Sequence, residues 1–243
     1  MKLRIPALFA TLVVLSAGPL RAADSVEQVL ARARAFLGSE SALNSVTTIH
    51  FTGTLEVDVT TRLPVDIIFQ KPYQQRITVT GPKVIEVTAL DGYDAWQKRT
   101  NPANPSQWQV TLLDANQVKR LRANTWENLS FFAGIEKKGG RVQLGGDAVI
   151  DGAPCVRLSF IHADNIVFVR YFEKATGRLV KTETEAGTEI REEGEIMVKG
   201  IRFPKKVINK APNGPATTIV FDQIELIAAL PTAGFAVPSF QAN

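Results

Sequence analysis

The strongest constraint on the fold is the strict alternation of apolar and polar residues over residues 47–59. One series is apolar apart from a glycine: Ile49, Phe51, Gly53, Leu55, Val57 and Val59. The residues between them are polar: His50, Thr52, Thr54, Glu56 and Asp58. Successive side chains of a β-strand point to opposite faces of the sheet. The pattern therefore predicts an antiparallel strand with one buried face.

Comparable runs recur along most of the chain, with Gly or Pro in most of the intervening turns. Those outside the two hairpins described below are residues 65–69, 77–79, 108–112, 141–150, 178–185, 188–198, 202–209 and 217–226. Such turn spacing predicts a mainly β protein with one antiparallel sheet of about ten or eleven strands.

Asp91-Gly92 lies between two apolar runs and predicts a hairpin with a two-residue turn. Pairing Leu90 with Tyr93 then sets Val87 opposite Trp96. Val87 and Trp96 would share one face of the sheet with Ile85 and Ala89.

Residues 155–172 predict a second hairpin, with residues 162–165 as a four-residue loop. In this register one face is apolar and consists of Val156, Leu158, Phe160, Val167, Val169 and Tyr171. The other face also holds apolar side chains, namely Ile161, Ile166, Phe168 and Phe172. A sheet that is apolar on both faces needs a covering layer on each.

Helical periodicity occurs in two segments that can supply this cover. The first carries apolar residues at three- and four-residue steps, Val26, Val29, Leu30, Ala33 and Leu37, behind Asp24 or Ser25 as N-cap and before Gly38. A short turn of helix is expected at residues 41–43. The second segment, Asp114 to about Phe132, has the same spacing through Val118, Leu121, Trp126 and Leu129.

The first 22 residues have the pattern of a secretory signal peptide. Lys2 and Arg4 precede an apolar run that ends near Leu15, and small residues follow up to Ala22. Cleavage after Ala22 is expected, which leaves a single domain over residues 23–243. Because Cys155 lies far from this junction, no thiol is available there for lipid attachment. We expect a soluble periplasmic protein that is not lipid-anchored.

Charge and cysteine content exclude several classes of protein. Removal of residues 1–22 takes away three basic residues and no acidic one, so 28 Lys and Arg become 25 against 24 acidic residues, a formal charge of +1. Nucleic acid binding would call for a clustered basic face, so we expect none. A single cysteine cannot form an internal disulfide, and the fold must depend on its hydrophobic core.

The sequence offers little for catalysis or metal binding, and we expect neither an enzyme, nor a cofactor, nor a metal site. His50 falls on the polar face of a strand and His162 in a loop, without the spacing of metal ligands. Asp91 and Asp94 flank a turn, where aspartate side chains commonly hydrogen-bond the backbone of the turn. Cys155 is expected to be an inert packing residue. Three glutamates are expected to form a solvated strand face and turn: Glu192, Glu193 and Glu195.

The order of these features resembles the periplasmic lipoprotein carriers of the LolA/LolB type, and more closely the group of outer-membrane lipoprotein-sorting proteins. Early motifs are the amphipathic helix, the long strand ending near Asp58, Lys71-Pro72 with Arg76, and Asp91-Gly92 with Trp96. Later ones are Gln143–Gly152, Phe172–Leu179, Gly200–Pro204 and Phe235–Pro238. Lys71 stands where the carrier has arginine, and lysine cannot reproduce a forked guanidinium contact.

This resemblance implies an antiparallel sheet curled into an incomplete barrel around a hydrophobic cavity, with two or more helices as a lid. The cavity would take acyl chains. Apolar residues of the strands and of the second helix are the candidate lining: Ile49, Phe51, Leu55, Val57, Ile67, Phe69, Ile77, Val87, Trp96, Trp126, Leu129 and Phe132. Lys71 and Arg76 are candidates for contact with the lid or with a lipid head group.

The sequence thus favours a monomeric periplasmic carrier for lipid or lipoprotein acyl chains, with a lipid or an acylated lipoprotein and envelope membrane proteins as partners. The alternative is a structural or interaction protein of the cell envelope that uses the same fold without a lipid ligand. That alternative predicts a filled interior and an exposed apolar patch, whereas a carrier predicts an apolar cavity beyond what packing needs.

Overall fold

The computed structural model describes residues 24–238, and the signal peptide predicted at residues 1–22 lies outside that range. Three α-helices lie within residues 24–238: α1 (Val26–Leu37), α2 (Glu40–Ser45) and α3 (Ala115–Ser130). The strands of the first half are β1 (Thr48–Glu56), β2 (Arg62–Gln70), β3 (Gln74–Thr80), β4 (Ile85–Asp91), β5 (Asp94–Asn101) and β6 (Asn104–Leu112). Those of the second half are β7 (Arg141–Ile150), β8 (Ala153–Ala163), β9 (Ile166–Glu173), β10 (Leu179–Thr184), β11 (Glu189–Glu193), β12 (Ile196–Val198), β13 (Ile201–Phe203), β14 (Lys206–Lys210) and β15 (Ala216–Ile227).

Thirteen of these strands form one antiparallel sheet in the order β6-β5-β4-β3-β2-β1-β15-β14-β11-β10-β9-β8-β7. Within residues 24–238 the end strands β6 and β7 do not pair with each other, so the sheet is open. The predicted fold class is confirmed, with more strands than the ten or eleven expected. Strands β12 and β13 form a separate hairpin, because the chain leaves the sheet at Gly194, which has a φ of 66°, and returns after Pro204.

The helices begin where the sequence predicts. The Ser25 hydroxyl accepts a hydrogen bond from the Gln28 backbone at the start of α1, and the Gln28 side chain accepts one from the Ser25 backbone. Asp114 and Gln117 form the same reciprocal cap on α3. These caps satisfy backbone N–H groups that have no partner within the helix.

Both predicted hairpins exist, but in different registers. The turn between β4 and β5 is Gly92-Tyr93 rather than Asp91-Gly92, so Trp96 pairs with Ala89. Between β8 and β9, Phe160 pairs with Phe168 rather than with Val167, because an irregularity after Ile161 absorbs one residue. A shift of one residue exchanges the two faces of a strand, so the predicted apolar face of the second hairpin is wrong, whereas Val87, Ala89 and Trp96 of the first hairpin share a face as predicted.

The C-terminal segment after β15 packs on the sheet face opposite α3. Gln75 faces α3 and accepts a hydrogen bond from Thr125, so the next residue along β3, Arg76, faces away. Arg76 pairs with Ala89, which pairs with Trp96. The indole of Trp96 donates a 2.8 Å hydrogen bond to the carbonyl of Phe235. This segment is thus the second covering layer.

Strands β1 and β15 join the two halves of the sheet, and Gly53 lies at an irregularity in their pairing. A Cβ atom at Gly53 would lie 2.2 Å from the Val220 carbonyl oxygen and 3.0 Å from the Phe221 Cα. Both are backbone atoms, so they cannot move aside without disturbing the pairing.

We expect Gly53→Ala to lower the free energy of unfolding by about 1–3 kcal/mol, the usual cost of overpacking. Urea denaturation measures this. Gly214→Ala is the control, because its added Cβ would make an ordinary 3.5 Å contact with Ala211. Equal stability of the two variants would mean that β1 and β15 are not held this closely.

Candidate functional site

A cavity of about 350 Å³ lies between α3 and the sheet. Its apolar lining comes from α1, the loop after α3 and strands on both sides of the β1-β15 junction: Leu37, Phe51, Ile67, Phe69, Ile77, Phe131, Phe132, Phe168, Leu179, Ile190, Phe203, Pro204, Val207, Ile219 and Phe221. Polar residues complete it: Asn124, Glu127, Asn128, Arg170, Thr182, Glu192, Arg202 and Asn209. Small-molecule pockets have about this size and an apolar majority with a few polar groups.

Helix α3 ends in two consecutive phenylalanines with left-handed backbone, Phe131 (φ 49°) and Phe132 (φ 69°). Left-handed backbone costs a non-glycine residue about 1 kcal/mol or more. Both side chains are buried and both line the cavity. The turn therefore places two aromatic rings at the cavity wall, and their burial offsets the backbone cost.

Arg34 of α1 fixes this end of α3. Its Nη1 donates hydrogen bonds to the carbonyls of Ser130 (3.0 Å) and Phe131 (2.7 Å). Its Nε and Nη2 each lie 2.6 Å from a carboxylate oxygen of Glu40 at the start of α2. One buried guanidinium thus satisfies the last carbonyls of α3 and joins three helices. The helical periodicity that predicts α1 gives no sign of this role of Arg34, because it depends on contacts distant in sequence.

The last turn of α3 is joined to β8 and β9 by a buried charged cluster. Glu127 forms an ion pair with Arg170 and a 2.5 Å hydrogen bond with His162. The Glu127 and Arg170 side chains are 3% and 8% exposed. The Arg170 guanidinium lies 5.0 and 4.7 Å from the ring centres of Phe132 and Phe160. His162, predicted in a loop, instead lies near the end of β8, where its side chain faces α3.

The middle of α3 is held by a stack of three side chains. The Arg122 guanidinium lies 3.9 Å from the ring centre of Tyr73 and 3.9 Å from that of Tyr93. It also donates a hydrogen bond to the carbonyl of Gly92 in the β4-β5 turn. Cation-π contacts on both sides of one guanidinium add to the fixation of α3 on the sheet.

Five of the residues predicted to line the cavity do so: Phe51, Ile67, Phe69, Ile77 and Phe132. Ile49 and Leu129 are buried in the core beside it, with Leu55 partly buried against the same cluster. Trp126 packs with α1 and β8 residues in a second core cluster. Val57 follows the end of β1 and bonds across the turn to Thr61.

Val87 and Trp96 do not line the cavity. Trp96 faces the C-terminal segment, and Val87, two residues from Ala89 on β4, shares that face. Their apolar character reflects the second covering layer, and the prediction that placed them at the cavity is corrected.

Glu192, Glu193 and Glu195 are exposed as expected, and Glu192 also lies in the cavity wall. It also lines an adjoining cavity of about 340 Å³, which Arg178, Glu193 and Glu195 help to form. Glu192 keeps solvent access through these openings, yet the surrounding protein removes part of its hydration. That loss raises the pKa of the Glu192 carboxyl, and the positive charge of Arg170 opposes the shift.

Solved structures with the same architecture identify the fold. A LolA superfamily protein from Nitrosomonas europaea superposes with a TM-score of 0.57 at 14% identity, covering 88% of this chain and 99% of the other. A putative outer membrane lipoprotein-sorting protein domain from Vibrio parahaemolyticus gives 0.54 at 12% identity over 87% and 97%. The chain has a LolA-like fold. A DUF1329 family protein from Desulfovibrio piger shares this LolA-like fold, with a TM-score of 0.53 at 11% identity over 88% and 98%.

Sequence comparison gives no further assignment: no protein-family model matches the chain, and no curated protein matches it. Within residues 24–238 of this LolA-like structure, no three or more His, Cys, Asp or Glu side chains lie together as a metal site would require. In the same part of the chain, no helix has the length and apolar character needed to span a membrane.

Of the two basic residues predicted to contact the lid or a lipid head group, Arg76 lies on the other face of the sheet and Lys71 lies near Arg34. Arg76 donates a 3.2 Å hydrogen bond to the Gly234 carbonyl, on the face opposite α3. Lys71 is exposed at the end of β2, where partial loss of hydration and the nearby charge of Arg34 lower its pKa. Among the described residues, Arg34 rather than Lys71 or Arg76 bonds the end of α3.

Proposed function

We propose that this protein binds an acyl chain of a lipid or lipoprotein in the cavity between α3 and the sheet, and that it carries this chain through the periplasm as a monomer. The observation that supports the proposal is the cavity itself. Its walls are apolar for most of their extent, and space remains between the side chains of α3 and those of the sheet. A protein that used the fold only as a scaffold would call for a filled interior.

The expected affinity suits a carrier. Burial of ten methylene groups contributes about 8 kcal/mol, and association costs several of these, which leaves binding in the micromolar to millimolar range. Such a complex forms readily and also releases its ligand. The fold shared with the lipoprotein-sorting domain from Vibrio parahaemolyticus is consistent with this role.

The proposal is tested by organic extraction of the purified mature chain, lipid analysis of the extract, and titration with a fluorescent fatty acid. Co-purifying lipid and displaceable binding of the probe are expected. If the extract holds no lipid and the probe does not bind, the carrier function is wrong.

A cavity-filling variant locates the binding. Val207 and Ile219 pair with each other on β14 and β15, and both line the cavity. A tryptophan at either position would occupy the space of the ligand, so Val207→Trp and Ile219→Trp should each weaken probe binding about tenfold or more. Val149→Trp, at a position 71% exposed on β7, is the control. Unchanged binding in both cavity variants would place the probe elsewhere.

A further inference from the structure

A line of polar side chains crosses the apolar floor of the cavity. Arg170 of β9 pairs with Thr182 of β10, Thr182 with Ile190 of β11, and Ile190 with Asn209 of β14. Residues paired across antiparallel strands share a face, and all four line the cavity. Glu192, two residues after Ile190, points the same way. We call Thr182, Asn209 and Glu192 the polar stripe.

Within residues 24–238, the side chains of Thr182, Asn209 and Glu192 make neither a hydrogen bond nor an ion pair. Thr182 is only 5% exposed. Buried polar groups in folded proteins almost always have partners, and a hydroxyl left without one is costly. Thr182 is the buried member of the polar stripe, whereas Asn209 is half-buried and Glu192 is exposed. A buried hydroxyl without a partner, beside two unpaired polar groups, indicates that something other than the protein supplies the partners.

The charges beside the polar stripe are already balanced. The charge of Arg170 is compensated by its ion pair with Glu127 of α3, while its buried Nε has no partner among the described residues and is a further hydrogen-bond donor. A protonated Glu192 donates a hydrogen bond, and an ionised one accepts from a hydroxyl but repels a carboxylate or phosphate. Thr182 and Asn209 each both donate and accept. Hydroxyl groups can bond every member of this set, whereas an ionised Glu192 repels an anionic group.

From these contacts we infer that the cavity selects an uncharged amphiphile with one acyl chain and a hydroxyl-bearing head group, such as a monoacylglycerol, whose hydroxyls bind Thr182, Asn209 and Glu192. This inference rests on the proposed function and adds the class of ligand and the position of its head group. The head group would lie inside the cavity, on the floor, and the acyl chain would extend along the phenylalanine-rich walls.

The test compares two ligands with the same chain, 1-monooleoylglycerol and oleate, at pH 8, where oleate is ionised. Each is titrated below its aggregation concentration against a bound uncharged dye, and the two dissociation constants are compared. We expect monooleoylglycerol to bind at least about tenfold more tightly, because each hydrogen bond contributes about fivefold to tenfold and the carboxylate meets no free cation. This comparison needs no variant.

Thr182→Val and Asn209→Leu should each reduce the preference about fivefold to tenfold, since each removes one set of hydrogen bonds at nearly constant volume. Thr217→Val is the matched control. Thr217 pairs with Asn209 on the same face, but it does not line the cavity.

The outcomes separate the two proposals. Equal binding of oleate and monooleoylglycerol, or a preference that neither variant changes, overturns the inference and means that the polar stripe holds only water. If neither ligand displaces the dye and neither binds, the proposed carrier function fails with it.

Discussion

Glu127→Ala is expected to lower the free energy of unfolding by about 3–5 kcal/mol, the cost of leaving one member of a buried ion pair without its partner. Arg170 would keep its charge among the rings of Phe132, Phe160 and Phe168, and His162 would lose its hydrogen bond to α3. Urea denaturation followed by tryptophan fluorescence measures the loss, because Trp126 lies 5.4 Å from the His162 ring.

Two further variants show whether the charge itself is the cause. Adding Arg170→Met to Glu127→Ala removes the unpaired cation, and we expect most of the lost stability to return. Glu136→Ala changes an exposed glutamate just beyond α3 and should shift stability by less than about 0.5 kcal/mol. A double variant as unstable as Glu127→Ala alone would contradict an electrostatic origin.

Phe160→Ala is expected to have an effect of similar size, about 3–5 kcal/mol. Phe160 is fully buried on β8, with its ring centre 6.2 Å from that of Phe132 and 6.5 Å from that of Phe172. Its ring also lies under the Arg170 guanidinium. Truncation would leave a void between α3 and the sheet and remove an aromatic contact from a buried cation.

Thermal and urea denaturation of Phe160→Ala should both show this loss. Leu144→Ala is the control, since Leu144 lies on the neighbouring strand β7 and is 46% exposed. Its effect should be small, as for most exposed positions. If Phe160→Ala lowers the free energy of unfolding by less than about 1 kcal/mol, the core around Phe132, Phe160 and Phe172 is loosely packed.

The elements that sequence predicted best are those determined by local chemistry. Ser25 and Asp114 start helices because their side chains bond backbone groups only two or three residues away. Alternation along β1 likewise predicted its buried face, since Ile49 and Phe51 are buried. Such signals need no knowledge of the rest of the chain.

Registers between strands were predicted less well, because they depend on how many residues the turn holds and on whether a strand contains an extra, unpaired residue. One extra residue after Ile161 put Arg170 opposite Leu158, on the apolar face, although the sequence placed it on the other side. The buried cluster of Glu127, His162 and Arg170 follows from that single shift. No pattern within β8 or β9 indicates it.

Which face of a strand meets α3 was also beyond the sequence. Trp96 and Phe69 are both buried aromatic residues, yet one faces the C-terminal segment and the other the cavity. Thr182 and Asn209 look like ordinary polar positions of half-exposed strands. Only the pairing of β9, β10, β11 and β14 shows that they meet in one row on the cavity floor.

The position of β15 in the sheet has a consequence for how the molecule assembles. Strands β1 to β6 pair with their neighbours in sequence, as do β7 to β11. Each half of the sheet can therefore form from short-range hairpins soon after its residues are synthesised. The pairing that joins the two halves forms later, because it requires the final strand, β15, to enter between β1 and β14. Closing so long a loop is slow. The cavity is therefore completed last during folding. A chain without β15 would have two separate partial sheets and no cavity for a ligand.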